Sequence, residues 1–404
     1  MTLRPLQPCS LDELPGLLPG VLSDGGGARA VLAPLGEHPE QTLAMLRPDL
    51  PVTEPDAAVV VATSGSSGVP KGVVLSRRAL LAAAEAAQQR LGAMTWTCVL
   101  PVGYVAGLMV MVRAHVAGRP VRFARADLSD LEPVPGANAI SIVPTQLFRA
   151  MADRGMLASL ARYDAILLGG APVDAALLAE ARGRGLNLIT TYGMSETCGG
   201  CVWDGEPLPG VDVGIAAAEQ HPTTAAQTAP TTAAEPSPTT AAEPVEAPSG
   251  RITLSGEMAF SGYRLAPELT AATLAGRTVL TNDRGEWSDG RLRVLGRMDD
   301  VVISGGVNVD LAAVQRAVEA IEPGTSLVLA TPDPEWGSRV TLVSCSGHGL
   351  AWWHDRLRGG LGRAALPRRI VPVDVLPRTS SGKIDRQALL RELGEEGDAR
   401  GNGW

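Results

Sequence analysis

The sequence predicts an α/β fold: a large N-terminal α/β domain with mainly parallel sheets, residues 1–296, followed by a small C-terminal α+β domain, residues 297–404. Three observations carry this. Short apolar runs rich in β-branched residues recur at 57–63, 141–143, 165–168 and 188–192, with helical stretches between them. The segment Gly296-Arg297-Met298-Asp299-Asp300 interrupts that alternation and reads as a hinge. Beyond it an αβ pattern resumes to the C-terminus.

Residues 1–55 give few strong signals. The run AAVVVAT at 57–63 reads as a buried strand, followed by a Gly/Ser loop at 64–72, and Ser76 is placed to cap a helix reaching residue 91. The next strands bracket helices, so functional loops are expected at the carboxyl ends of a parallel sheet. Residues 211–215 and 251–254 are strand-like and are expected to pair as a hairpin. Between them, 216–249 is mostly Ala, Thr, Pro and Glu, with PTTAA starting at Pro222, Pro230 and Pro238. This stretch has no apolar face to bury and is expected to be disordered. At a hairpin tip it costs little, because loop-closure entropy grows only logarithmically with length. A helix is expected from Asp310, strands at 326–330 and 339–344, then a loop at 377–383 and a last helix.

Composition narrows the class. Hydrophobic residues make up 45%, with 46 Gly and 31 Pro, which suits a loop-rich globular protein. Net charge is −8 with no basic block, which excludes wholesale nucleic-acid binding. No stretch of about 18 apolar residues is present, so no membrane span is expected. The start shows no basic-then-apolar leader pattern, and the five scattered cysteines suit a reducing cytoplasm. Nothing in the sequence signals oligomeric state. Of 35 basic residues only Lys71 and Lys383 are lysines, both in glycine-containing loops. Those are positions where a compact ammonium serves and a planar guanidinium does not.

The strongest motif is Thr63-Ser64-Gly65-Ser66-Ser67-Gly68-Val69-Pro70-Lys71-Gly72. Glycines let backbone amides approach an anion, and hydroxyls add donors. A strand before it and a helix after it are expected to complete a phosphate cradle. It is not a Walker loop, because the Gly-x4-Gly-Lys-Ser/Thr spacing is absent. No Gly-x-Ser-x-Gly elbow occurs, Gly183-x-Gly185 lacks the third glycine of a dinucleotide fingerprint, and Cys198-x2-Cys201 has no second pair. Those two cysteines are expected to support a site wall.

The Gly/Ser loop resembles the phosphate-binding loop of the adenylate-forming superfamily, which includes acyl-CoA synthetases, luciferases and peptide-synthetase adenylation domains. Further matches follow in that family's order. Gly169-Gly170-Ala171-Pro172 falls where the family holds adenine. In Tyr192-Gly193-Met194-Ser195-Glu196-Thr197 the resemblance implies that Tyr192 stacks on adenine, Glu196 holds Mg2+ and Thr197 contacts the α-phosphate. A hard cation taking one carboxylate plus phosphate oxygens suits that role. Thr281-Asn282-Asp283 resembles Thr-Gly-Asp, whose aspartate receives the ribose hydroxyls; here Asn282 replaces the glycine. By resemblance Arg297 reaches the nucleotide, Asp299 is the hinge of a mobile C-terminal domain, and Gly305 and Gly306 line the channel for coenzyme A. Pro377-x4-Gly382-Lys383-x2-Arg386 resembles the family's catalytic lysine motif, so Lys383 is expected to stabilise charge building between the carboxylate and the α-phosphate.

The resemblance implies an enzyme that takes a small-molecule carboxylic acid, ATP with Mg2+, and coenzyme A, by way of an acyl-adenylate. The short region before the loop, together with 100–108 and 192–210, is similar to the o-succinylbenzoate–CoA ligases of menaquinone biosynthesis in actinobacteria. Tyr104, Val105 and Gly107 fall at the acyl pocket, and Arg113 and Arg149 are candidates for a second substrate carboxylate. Two alternatives stay open: transfer of another aryl or short acid to CoA or a carrier protein, and a non-catalytic nucleotide-binding relative.

Overall fold

The computed structural model describes residues 3–23, 30–36, 39–63, 70–173, 175–217, 249–333, 336–378 and 384–399. The insert centred on 216–249, the loop residues 64–69 and Lys383 fall outside these, apart from 216, 217 and 249 at the insert's edges. Among the described residues no helix is long and apolar enough to cross a membrane.

Strands group into four sheets. The first contains the buried strand Ala57–Thr63, flanked by Val31–Pro34 in parallel and by Lys71–Ser76 antiparallel. Its side chains alternate as a strand between two layers demands. Val59, Val61, Val73 and Leu75 point into the main core, whereas Val60 and Val74 point into a smaller outer cluster with Leu46. The second sheet holds the parallel run Thr95–Cys98, Asn138–Ile142, Ala165–Leu168 and Leu188–Met194. The expected parallel strands are therefore present. The third sheet, built on Thr278–Ser288, is wholly antiparallel. Val211–Ala217 and Gly250–Gly256 pair as the hairpin the sequence led us to expect, with Ile215 opposite Ile252.

Helix Arg77–Leu91 begins where Ser76 accepts a hydrogen bond from the Ala79 amide, an N-cap contact. Its alanine-rich face packs with helix Val105–Val116 in the core that joins the first and second sheets. The opposite face of the second sheet is covered by helices Pro144–Ala152, Arg154–Leu160 and Ala175–Gly183.

One expectation is corrected here. The loop was expected to run to Gly72 and lead into the Ser76-capped helix; instead the strand Lys71–Ser76 lies between them and returns antiparallel along Ala57–Thr63. The loop thus spans two strands, and no helix N-terminus follows it directly.

The fourth sheet, from Val301–Ser304 to Arg369–Pro372, has its own apolar clusters, one around Val314, Val340, Leu342 and Trp353. Asp310 caps helix Leu311–Ile321 through the amides of Ala312 and Ala313. Gly305 and Gly306, with φ of +59° and +79°, form the two-residue turn between strands Val301–Ser304 and Val307–Asp310. Such a turn needs positive φ at both central positions, which alone accounts for the glycine pair.

Candidate active site

The site is built at the carboxyl end of the second sheet. Strand Leu188–Met194 runs into a short turn, Ser195–Thr197, and returns as Gly199–Trp203. The return is tight. A Cβ on Gly193 would lie 2.1 Å from the Gly199 carbonyl oxygen, so only glycine lets these backbones meet. That turn delivers Glu196 as a buried carboxylate, 8% exposed.

Two other segments reach it. Lys71, at the start of its strand, sets Nζ 3.4 Å from Glu196 Oε1. Tyr263, paired against that same strand, donates its hydroxyl to Glu196 Oε1 at 2.6 Å and receives Lys71 Nζ at 2.9 Å. Burial and the adjoining Glu196 carboxylate push the Tyr263 phenol above its ordinary value, so it stays a donor. No motif in the sequence had pointed to Tyr263; its pairing across 192 positions with Lys71 is visible only in three dimensions.

A second contact joins this end of the sheet to the third sheet. Tyr192 donates its hydroxyl to Asp283 Oδ2 at 2.8 Å. Burial and then Asp283 raise the Tyr192 phenol. Burial likewise raises the Asp283 carboxyl, against the Tyr192 hydrogen bond and the Arg297 charge. Asn282 lies exposed within strand Thr278–Ser288 and is not among the positive-φ residues, so replacing a glycine there leaves the extended backbone intact. Thr281 steadies the strand by donating to the Ile252 carbonyl and accepting from the Asp283 amide.

The remaining expected residues are placed less uniformly. Thr63 is half-buried, with its hydroxyl turned to the Lys71 carbonyl. Gly169, Gly170, Ala171 and Pro172 follow strand Ala165–Leu168, the last three exposed. Thr197 is fully buried, and its hydroxyl bonds to Met194 and Gly199 of its own turn. Ser195, the other hydroxyl of this turn, is half-buried. Arg297 grips Asp299 through two hydrogen bonds, 2.8 and 3.0 Å. Burial opposes ionisation of Asp299, but the Arg297 bond and charge hold its carboxyl below the usual value. Ser64, Gly65, Ser66, Ser67, Gly68 and Lys383 lie outside the described residues. The flanks of the lysine loop are nonetheless joined, because Arg378 and Ile384 form a bridge.

Of the residues expected at an acyl pocket, Tyr104 precedes helix Val105–Val116, and Gly107 is buried against the Leu100 and Pro101 carbonyls. Arg113, on the same helix, is 6% exposed. Its Nε has no hydrogen-bond partner and, among the described residues, no carboxylate pairs with it; the Trp96 ring centroid lies 5.2 Å from its guanidinium. Burial lowers its pKa to about 10. Arg149, by contrast, is exposed. Cys198 and Cys201 are buried thiols pushed up by burial, Cys201 to about 12, which makes them inert wall residues. A depression of about 620 Å³ lined by Arg182, Asp204 and Arg291 sits at the amino end of strand Leu188–Met194, so cavity size does not mark the chemistry.

Residues 19–264 match the family model described as AMP-binding enzyme. The chain belongs to the AMP-binding enzyme family. Within it, the chain is 33% identical over 404 aligned positions to a probable 2-succinylbenzoate–CoA ligase of Mycobacterium tuberculosis, covering 95% of this chain and 96% of that one. It is 28% identical to the 2-succinylbenzoate–CoA ligase of Enterococcus faecalis, covering 83% and 69%. Among solved AMP-binding structures, the o-succinylbenzoate coenzyme A synthetase MenE of Bacillus subtilis in complex with AMP superposes with a TM-score of 0.66 at 25% identity, covering 82% of this chain and 69% of that one.

Proposed function

We propose that this AMP-binding enzyme is a 2-succinylbenzoate–CoA ligase of menaquinone biosynthesis, converting 2-succinylbenzoate, ATP and CoA to 2-succinylbenzoyl-CoA, AMP and pyrophosphate. The observation that carries this reading is the meeting of Lys71, Glu196, Tyr192 and Asp283, from separate segments, at one end of the second sheet. The near full-length likeness to the mycobacterial ligase supports the choice of acid.

The residues fit a magnesium–nucleotide. Among the described residues no cluster of three or more ligating side chains exists. One buried carboxylate, Glu196, suits a cation whose other ligands are phosphate oxygens and water. When bound, Mg2+ neutralises phosphate charge as pyrophosphate departs. Asp283 accepts from the ribose hydroxyls: Tyr192 occupies Oδ2, and Oδ1 stays available. Tethered in this way, the Tyr192 ring is fixed as a wall for the base. Ser195 takes the α-phosphate contact expected of Thr197, whose hydroxyl is bound within its turn. Lys383 stabilises the developing negative charge during adenylation. Arg113, whose Nε has no hydrogen-bond partner, receives the second carboxylate of the acid. Residues 297–404 then rotate about Asp299, bringing the Gly305–Gly306 turn to the acyl-adenylate for attack by the CoA thiol.

Mass spectrometry of a reaction with ATP, CoA and 2-succinylbenzoate tests this. The expected product is the aryl-CoA thioester with AMP. Turnover of other aryl acids but not this one rejects the substrate; ATP binding without acid-dependent pyrophosphate release rejects catalysis.

A further inference from the structure

The three-way contact among Lys71, Tyr263 and Glu196 does more than fill space. Both the ammonium and the phenol address the same oxygen, Oε1, at 3.4 and 2.6 Å. Among the described residues Oε2 makes no hydrogen bond. Lys71 Nζ also lies 4.1 Å from the centroid of the Tyr263 ring, so the ring and its hydroxyl hold the ammonium in place. A buried carboxylate needs a positive neighbour, and Lys71 supplies it while no metal is bound.

We propose that Lys71 is an exchangeable counter-ion: it holds Glu196 in the nucleotide-free protein and is released to the ATP phosphates when a divalent cation takes that carboxylate. The inference rests on the reading of Glu196 as the metal ligand. Two cations on one buried carboxylate repel each other at this range, so metal arrival drives the ammonium off. Lys71 lies two residues beyond the Gly/Ser segment 64–69, so phosphate oxygens are its next partner. Residue choice agrees. A chain that uses arginine at 33 of its 35 basic positions has lysine here. A point charge on a flexible stem can change partners, whereas a planar fork clamps a carboxylate through two bonds. Tyr263 is the positioning residue of the exchange: it aims Oε1 and docks the displaced charge.

Calorimetric titration of ATP, without acid, into wild type, Glu196→Gln, Lys71→Met and the double variant tests the exchange, each in EDTA and in Mg2+. Glu196→Gln sets the ammonium free, so metal-free ATP is expected to bind about tenfold tighter than to wild type, the size of a partly buried charge pair. The same variant binds Mg2+–ATP more weakly. In the Lys71→Met background the metal-free gain disappears. A gain that persists without Lys71 reflects plain charge repulsion and overturns the exchange. So does a metal-free affinity that Glu196→Gln leaves unchanged or lowers. Equal Mg2+–ATP affinity for wild type and Glu196→Gln instead overturns the metal-ligand reading itself. Tyr263→Phe keeps the ring and removes the hydroxyl. It is expected to weaken Mg2+–ATP binding about 10-fold or more while tightening metal-free ATP. Unchanged affinities in both titrations remove Tyr263 from the exchange.

Discussion

Replacing Arg113 with Met is expected to make the ligand-free protein more stable and the enzyme much worse. The guanidinium is buried, and burial lowers its pKa to about 10. A base with a lowered folded-state pKa is penalised in its charged form at every pH below that value, so the penalty is fully present at pH 7 and is relieved only as pH rises above about 10. Burial thus costs the charged form about 3 kcal/mol. The Trp96 ring returns about 0.5–2 kcal/mol of that. An uncharged, flexible side chain of similar length should therefore gain about 1–3 kcal/mol, within the range seen when buried charges give way to apolar residues. Urea denaturation of the nucleotide-free protein reads this gain. Steady-state kinetics read the loss: KM for 2-succinylbenzoate should rise about 100-fold, the scale of a lost buried charge pair, while ATP affinity holds. A variant that is less stable and keeps its KM would show that Arg113 is a structural residue, and the assignment of the second carboxylate would fall.

Three further outcomes follow from the same geometry. Gly193→Ala drives a Cβ to 2.1 Å from the Gly199 carbonyl, a backbone clash that repacking cannot relieve; chemical denaturation should show a loss of about 3 kcal/mol, with weakened ATP binding as the Glu196 turn shifts. Asp283→Asn should abolish ribose recognition yet raise thermal stability at pH 7. Burial raises the Asp283 carboxyl in the folded state, so its ionisation weakens the fold as pH climbs through that raised value, and the advantage of the variant should vanish below about pH 4. Lys383→Ala should cripple pyrophosphate release in the first half-reaction while sparing thioester formation from preformed acyl-adenylate, measured by single-turnover kinetics.

What could be read from the chain followed physical range. Local signals held: the β-branched run at 57–63, the Ser76 and Asp310 caps, and the strand character of 211–215 and 251–254, which pair as a hairpin. Each is decided by neighbours in sequence or by a strand period of two. The strand Lys71–Ser76 was missed because its pattern, KGVVLS, is too short to separate from a loop leading into a helix. Asp283 and Glu196 were legible as motif residues. Their environments were not, because burial and the hydroxyls of Tyr192 and Tyr263 arrive from other segments. The choice between Arg113 and Arg149 was open in the sequence, since both are arginines on apolar helices. Only burial separates them.

Buried charge then sorts structural from chemical residues. Among the described residues the buried arginine and acidic side chains are Arg113, Glu196 and Arg264. Arg264 donates to the carbonyls of Leu46, Arg47, Leu50 and Pro51. It fastens the 46–51 turn to the first sheet, and nothing is left over for a ligand. Glu196 has one oxygen addressed by a removable cation and a fixed phenol. Arg113 has an aromatic face and an unpaired donor. A folded chain keeps an incompletely paired buried charge only against a steady loss of stability. Glu196, on the turn Ser195–Thr197, is answered by Lys71 and Tyr263, whereas Arg113 keeps an unpartnered Nε. Their signs are opposite, as a divalent cation on one side and a substrate carboxylate on the other require. A substrate with a single carboxylate would consume its only negative group in adenylation and leave Arg113 unanswered, so the polarity of this pair itself favours a dicarboxylic acid.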